Sequence, residues 1–342
     1  MEQLSGCSFG FKMGEEMKIL VTGGAGFIGS NFVRYVLGKY DDLSVVNLDA
    51  LTYAGNLENL DGLDEKRYKF RKGDISSHED VENVIGGEHF DAVVNFAAES
   101  HVDRSLHSGS SVFVNTNVMG TQILLDASRK HGVGRFVQVS TDEVYGSLGV
   151  SGRFTEMSPI QPNNPYAATK AGADFMVRAA HRSYGMDTVT TRCSNNFGPY
   201  QFPEKLIPLM ITNALEDKEL PVYGDGMQIR DWIYVEDHCV AIDLAMRKAK
   251  SGSIYNIGSS HEVPNIEIVK LILGILGKPE SLIKYVVDRP GLDRRYAMDS
   301  GSISNDLGWV PGTSFEDGME KTVRWYLENK RWLRHIRERG QS

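Results

Sequence analysis

Two short stretches of this chain combine residue types that can do chemistry. Tyr166-Ala-Ala-Thr-Lys170 sets a phenol and an ammonium four residues apart, a spacing that stacks side chains on one face of a helix. A lysine cation beside a phenol favours the phenolate, so Tyr166 can serve as a base well below its ordinary pKa of about 10. Ser140-Thr141-Asp142-Glu143-Val144-Tyr145-Gly146 adds a hydroxyl and two adjacent carboxyls, directly after the apolar run Arg135 to Val139 that reads as a buried strand. Neighbouring carboxyls in a closed site push their pKa values apart, leaving one as an acid and the other as a base. A phenol–lysine dyad that removes a proton while a hydride departs is enough for a simple dehydrogenase. The carboxyl pair points to a further acid/base step.

The elements that must position these groups begin with Met17-Lys-Ile-Leu-Val-Thr22, a short strand followed by Gly23, Gly26 and Gly29 and a helical pattern to about Lys39. A Gly-x-x-Gly-x-x-Gly turn between strand and helix suits a dinucleotide, whose pyrophosphate rests on the helix N-terminus. Val45-Val-Asn-Leu-Asp49 then ends a second strand in an acid, which accepts ribose hydroxyls and repels a 2′-phosphate, so NAD is expected rather than NADP. A third strand from Tyr68 ends at Asp74 and Ile75, beside the adenine. A fourth, Asp91 to Ala97, ends in Ala98-Glu99-Ser100-His101, small and polar as a cofactor crevice requires; His101 reads as a wall residue. Ser111 to about His131 reads as one long helix, with Val112, Val114, Val118, Ile123 and Leu124 as packing positions and Asn115 and Thr116 as a polar edge. Asp187 to Thr191 closes the alternation. The pattern is α/β, a Rossmann-type doubly wound parallel sheet with a smaller C-terminal substrate-binding lobe. Residues 1–16 read as a flexible extension, 17–192 as the NAD-binding domain, and 193–342 mainly as the substrate lobe, with a segment near 229–258 returning to the first domain.

Bulk properties exclude several classes. The chain has 342 residues, a net charge of −8, 41% hydrophobic and 24% charged residues, and a mean hydropathy of −0.29. An acidic chain is a poor nucleic-acid binder, and no apolar run reaches the roughly 18 residues of a membrane span. Cys7, Cys193 and Cys239 form no paired spacing, so neither disulfides nor a metal site are expected, and a reducing cytoplasm is. The four tryptophans, Trp232, Trp309, Trp325 and Trp332, read as packing residues.

Thr22-Gly-Gly-Ala-Gly-Phe-Ile-Gly29 with Tyr166 and Lys170 resembles the extended short-chain dehydrogenase/reductases that act on nucleotide sugars. Within them the chain is similar to the dTDP-glucose 4,6-dehydratase family. The likeness is carried by Asp49 to Asn56, Ala97 to Arg104, Ser140 to Gly146, Arg192 to Tyr200, Phe202 to Pro208, Gln228 to Asp237 and Asp288 to Tyr296. It covers Met17 to about Leu307. Phe197 stands where the family usually has Tyr.

The resemblance implies conversion of dTDP-glucose to dTDP-4-keto-6-deoxyglucose in deoxysugar biosynthesis. Tyr166 takes the C4 hydroxyl proton, Thr141 orients that hydroxyl, Lys170 supports both phenolate and nicotinamide ribose, Glu143 removes the C5 proton, and Asp142 protonates the departing C6 hydroxyl. It places NAD against Gly23, Gly26, Phe27, Ile28, Gly29, Asp49, Thr52, Asp74, Ile75, Ala97, Ala98, Ser100, Thr116, Tyr166, Lys170 and Asn196. The nucleotide sugar falls to Ser100, Thr141, Asn195, Lys205, Leu206, Pro221, Tyr223, Arg230, Asn265, Arg289 and Tyr296, with Arg294 as a further phosphate neighbour. A homodimer through the helices near 111–131 and 166–184 is a further implication. Two rivals use the same fold: a nucleotide-sugar 4-epimerase, which leaves Asp142 and Glu143 idle, and an NAD-binding regulatory protein, which needs neither Tyr166 nor Lys170. No residue pattern separates thymidine from uridine; the base follows from the resemblance alone.

Overall fold

The computed structural model describes residues 16–100, 102–107, 109–287 and 294–339. Expectations for the N-terminal extension (Cys7 included), His101 and Arg289 lie outside the described residues.

Among the described residues twelve strands form: β1 (Met17–Thr22), β2 (Leu43–Asp49), β3 (Tyr68–Lys72), β4 (Ala92–Asn95), β5 (Arg135–Thr141), β6 (Thr188–Cys193), β7 (Asn195–Phe197), β8 (Leu220–Tyr223), β9 (Ile229–Tyr234), β10 (Ile254–Ile257), β11 (Glu262–Pro264) and β12 (Ile283–Val286). Seven of them build one sheet in the order β10-β6-β5-β4-β1-β2-β3, every pairing parallel. The order reverses between β1 and β4, and at such a switch point the carboxyl ends of the strands open a crevice for ligands.

A parallel sheet covered on both faces explains the continuous apolar strands: Ile19, Leu20 and Val21 are all fully buried. One face packs on the helices Phe27–Lys39 and Val235–Lys248 through Phe32, Val36, Ile242 and Met246. The other carries Leu20, Val46 and Phe136 against Ile123, Leu124 and Val177. Polar groups inside are matched across strands: Thr22 donates to Asn95 Oδ1 at 2.6 Å, and Asn95 Nδ2 donates to Gln138 at 2.8 Å. That ladder spans β1, β4 and β5 and fixes their register, since a slip leaves buried amides unpaired.

A second core is built by Phe197, Ile211, Trp232, Ile268, Met319 and Tyr326, from the small sheets β11-β9-β7 and β12-β8 and the helices Leu206–Leu215, Asn265–Leu276 and Phe315–Glu328. The chain recrosses between the cores: β10 joins the first sheet beyond β6, and Ile303 and Trp309 pack into the first core. Trp232, Trp309 and Trp332 are buried packing residues, and Trp325 stacks edge-on with Tyr200 and Trp332.

The helix expected from Ser111 to His131 is not uniform. Its middle, Val114–Gly120, is wound as a π-helix between α-helical Ser111–Phe113 and Thr121–Lys130. Within it Asn117, 1% exposed, accepts through its side chain from Glu99 N and donates to Glu99 O and Thr169 Oγ1. Val112 and Val114, expected to pack inward, are 52% and 51% exposed; Ile123 and Leu124 are buried as expected.

Candidate active site

A cavity of about 680 Å³ opens over the switch point. Its floor is the glycine turn. Gly23 has φ +70°, and a Cβ there would meet Ala97 N at 2.6 Å, while a Cβ on Gly29 would meet Gly23 O at 2.3 Å. The helix that follows has no side-chain cap at Gly26, so its first N–H groups are left for an anion. Asp49 ends β2, with Oδ2 accepting from Ala25 N and Oδ1 from Leu51 N, which orients the carboxylate at the cavity edge. Burial raises its pKa from 3.8. Turn, free helix start and acid together fit a dinucleotide with an unphosphorylated ribose.

All sixteen residues expected to hold the cofactor line this cavity, from Gly23 to Asn196, and so do Thr141, Asp142, Glu143, Tyr166 and Lys170. The reactive group is assembled from two elements. Asn164 caps the helix Pro165–Tyr184 by accepting from Ala167 N at 2.8 Å, with Pro165 at its first position. Its Nδ2 also donates to Glu143 Oε2 at 3.2 Å, so the cap that starts the Tyr166 helix also holds Glu143. Thr141 closes β5 and caps the short turn Asp142–Tyr145, accepting from Glu143 N and donating to Asp142 Oδ1, each at 3.2 Å.

Charge states follow from these surroundings. Asp142 is 3% exposed, and its Oδ2 has no hydrogen-bond partner. Burial first, then the charges of Glu143 and Asp231, raise its pKa well above 3.8, which favours the protonated acid. Asp231 itself is pushed up to about 6 by burial.

Tyr166 departs from expectation. Its pKa is raised well above 10, by burial and then by Glu143, while a hydrogen bond with Thr141 lowers it. Lys170 shares its helix face, but Nζ donates to Val139 O at 2.7 Å. Four-residue spacing sets the face and not the rotamer, and the main-chain carbonyl of β5 captures the ammonium. Burial pulls the Lys170 pKa down.

The expected substrate contacts divide. Ser100, Thr141, Asn195 and Lys205 line the cavity; Leu206, Pro221, Tyr223, Arg230, Asn265 and Tyr296 do not. Leu206 starts the helix after Lys205, and Pro221 and Tyr223 belong to β8. Arg230 lies over the Tyr296 ring at 4.6 Å and lowers the Asp142 pKa electrostatically. Asn265 opens its helix with a buried Oδ1 that has no hydrogen-bond partner. Arg294 is held at the surface by both oxygens of Asp225, at 2.9 Å each.

Sequence reasoning missed several wall residues. Tyr53, Cys193, Phe202 and Glu204 also line the cavity, and Arg104 stacks on Tyr53 at 4.0 Å. Only their adjacency to named motif residues could have signalled them. His238 was also missed: it is fully buried and donates from Nδ1 to Asn196 Oδ1 at 2.8 Å, and burial lowers its pKa to about 3. A neutral imidazole thus fixes the Asn196 amide. Among the described residues no cluster suited to a metal ion occurs, and no helix is long and apolar enough to cross a membrane.

A family model described as GDP-mannose 4,6 dehydratase matches residues 20–322. A dTDP-glucose 4,6-dehydratase of Xanthomonas campestris pv. campestris is 51% identical, over 93% of this chain and 95% of its own length. A dTDP-glucose 4,6-dehydratase of Streptomyces venezuelae, solved with NAD bound, is 52% identical with a TM-score of 0.90, covering 94% of this chain and all of that one (100%). The UDP-glucose 4-epimerase of Thermotoga maritima shares the architecture at a TM-score of 0.86 but is 29% identical, covering 92% of this chain and 100% of that one.

Proposed function

The chain belongs to the dTDP-glucose 4,6-dehydratase family, and we propose that it turns dTDP-glucose into dTDP-4-keto-6-deoxyglucose with NAD as a recycled cofactor. The observation that carries this reading is the adjacent carboxyl pair that lines the cavity with Tyr166: Asp142 is buried, which raises its pKa well above 3.8, while Glu143 accepts from Asn164. An epimerase has no use for two adjacent carboxyls beside its phenol base.

The glycine turn, the uncapped helix start and Asp49 would hold NAD. When bound, it supplies the hydride acceptor for sugar C4, the same hydride for C6, and a positive ring that draws the phenol pKa back down. Tyr166 takes the C4 hydroxyl proton and Thr141, hydrogen-bonded to it, aligns that hydroxyl. The C4 ketone acidifies the C5 proton, which Glu143 removes. Asp142 gives its proton to the leaving C6 hydroxyl and is reset by solvent. Each matched acid or base is worth about 10²–10⁴ in rate.

Arg230 suits the diphosphate, because a guanidinium fork matches phosphate oxygens. Lys205 and Asn195 reach the same ligand from the cavity wall, and Tyr223, Asn265 and Tyr296 from the second lobe. Phe175 and Val112, each more than half exposed, with Val114 form an apolar face on the two helices that pair in a homodimer. Free, buried Cys193 and Cys239 fit a reducing cytoplasm.

The test is incubation with dTDP-glucose in deuterated water, read by NMR and mass spectrometry. A 4-keto-6-deoxy product labelled at C5 is expected. Formation of dTDP-galactose without loss of water would replace this reading with the epimerase. Turnover of UDP-glucose alone would overturn the thymidine assignment only.

A further inference from the structure

Arg192 sits on β6, opposite Ser140 of β5, and is 4% exposed. Its Nε donates to Asp174 Oδ2 at 2.9 Å, and its Nη1 donates to the Tyr145 hydroxyl at 2.8 Å. That hydroxyl donates onward to Asn256 Oδ1 at 2.8 Å on β10, and the guanidinium lies over the Tyr145 ring at 4.9 Å. The two partners of Arg192 belong to the two reactive stretches. Asp174 follows Tyr166 and Lys170 at four-residue steps on the helix Pro165–Tyr184, so the three form one row. All three are buried, at 9%, 4% and 4% exposure in chain order. Tyr145 closes the turn that carries Asp142 and Glu143.

Stability alone gives no reason for this arrangement. A buried ion pair is often no better than well-packed apolar residues of the same volume. Moreover, Asp174 Oδ1 has no hydrogen-bond partner, so Arg192 does not take up the whole carboxylate.

We propose that Asp174 and Arg192 are positioning residues of the reaction. Asp174 keeps the buried Lys170 ammonium charged beside Tyr166, and Arg192 locks that helix to the Asp142–Glu143 turn, so that both proton-transfer stages share one geometry.

The groups facing Lys170 agree with this. The charged or titratable groups that act on it are Asp174 from its own helix and Cys193 from β6. Burial favours the neutral amine, and Asp174 is the strongest influence in the opposite direction. The Cys193 thiol is pushed up to about 12 by burial, so it is neutral and gives Lys170 no anion. Glu143 acts on the phenol instead, raising its pKa.

The inference rests on the assignment of Lys170 to the dyad, and its test is read without turnover. In the full-length chain carrying lysine labelled with ¹³C at Cε, the Lys170 signal is identified by its loss in Lys170→Met and followed against pH. Asp174→Asn, which keeps the shape and removes the charge, is expected to lower the Lys170 midpoint by about 1–3 units. Asp174→Ser carries the same expectation, so the packing of one side chain does not decide the outcome. Asp174→Glu, which keeps the charge, restores the midpoint. In the active enzyme the alkaline limb of kcat moves down with the titration. Tyr145→Phe removes the hydroxyl and no charge, and leaves the Lys170 midpoint in place. An unchanged midpoint in folded Asp174→Asn or Asp174→Ser overturns the proposal and leaves Asp174 a packing residue. A shifted midpoint in a protein that does not dehydrate dTDP-glucose would overturn the functional reading and not this one.

Discussion

Replacing Asp142 with Asn isolates the acid from the rest of the site. The carboxyl is 3% exposed, held at Oδ1 by Thr141, and kept protonated by burial, Glu143 and Asp231. The amide has the same shape and no proton to give. Loss of a matched general acid costs about 10²–10⁴ in turnover, equivalent to about 3–5 kcal/mol on the barrier. In the proposed mechanism oxidation at C4 uses Tyr166 and Thr141, so it should keep its rate. On rapid mixing with dTDP-glucose, the absorbance of reduced nicotinamide should therefore rise and persist. Stability moves the other way. A carboxyl whose folded pKa lies above its unfolded value contributes fully below about 3.9 and loses that contribution as pH rises through the folded value. The amide does not titrate, so the Tm of Asp142→Asn relative to the parent should climb from acid to neutral pH. A loss of turnover under about tenfold, or failure of reduced nicotinamide to accumulate, would refute the assignment of Asp142 as acid. A relative Tm that falls with pH would refute its being neutral in the folded chain.

Glu143→Gln should abolish deuterium entry at C5 while reduced nicotinamide still forms; label retained at the parental rate would assign the base elsewhere. Gly23→Ala forces a Cβ to 2.6 Å from Ala97 N at a φ of +70°, and should lower stability by about 1–3 kcal/mol and weaken NAD binding about tenfold or more in calorimetry. Parental affinity would mean that the turn does not carry the cofactor. Asp231 is pushed up to about 6, so its contribution to stability is full below about 4 and declines by about 3 kcal/mol as pH rises through 6. Denaturant titrations of Asp231→Asn should lack that slope, and a constant offset at every pH would count against it. Phe175→Asp places charge on the exposed apolar face and should give a monomer in light scattering; a dimer of parental mass would relocate the interface.

Much of the sheet was legible because its strands are buried on both faces. β1 and the helix Phe27–Lys39 fall where apolar run, glycines and helical period place them. Asp49, Asp74 and Ala97 were readable as strand-end positions, and all line the cavity. Rotamers and long-range partners were not. The Tyr166–Lys170 spacing is local, whereas the carbonyl of Val139 that captures Lys170 is brought near only by the sheet. Inside the π-helix at Val114–Gly120, Asn117 meets Glu99, a contact invisible in helical periodicity. Val112 and Val114 carried the apolar signal of a core face and lie at the surface, because an apolar residue type does not by itself fix burial. The pairing of Arg192 with Asp174 and Tyr145 joins three segments through β6, and none of the three spacings announces it.

The late return of β10 to the first sheet also sets the order of events at the ribosome. β6 ends at Cys193, and the strand that covers its free edge, Ile254–Ile257, is made only after the chain has passed through β7, β8, β9 and the helix Val235–Lys248. Until then Thr188–Cys193, buried along its whole length in the finished molecule, is an open edge able to pair with any other extended chain. Closing such a distant contact is slow, and synthesis at roughly 5–20 residues per second leaves the edge bare for several seconds. The β6 edge of a nascent chain therefore stays uncovered until β10 clears the exit tunnel, and exposure to pairing with other chains lasts as long as synthesis of the intervening lobe.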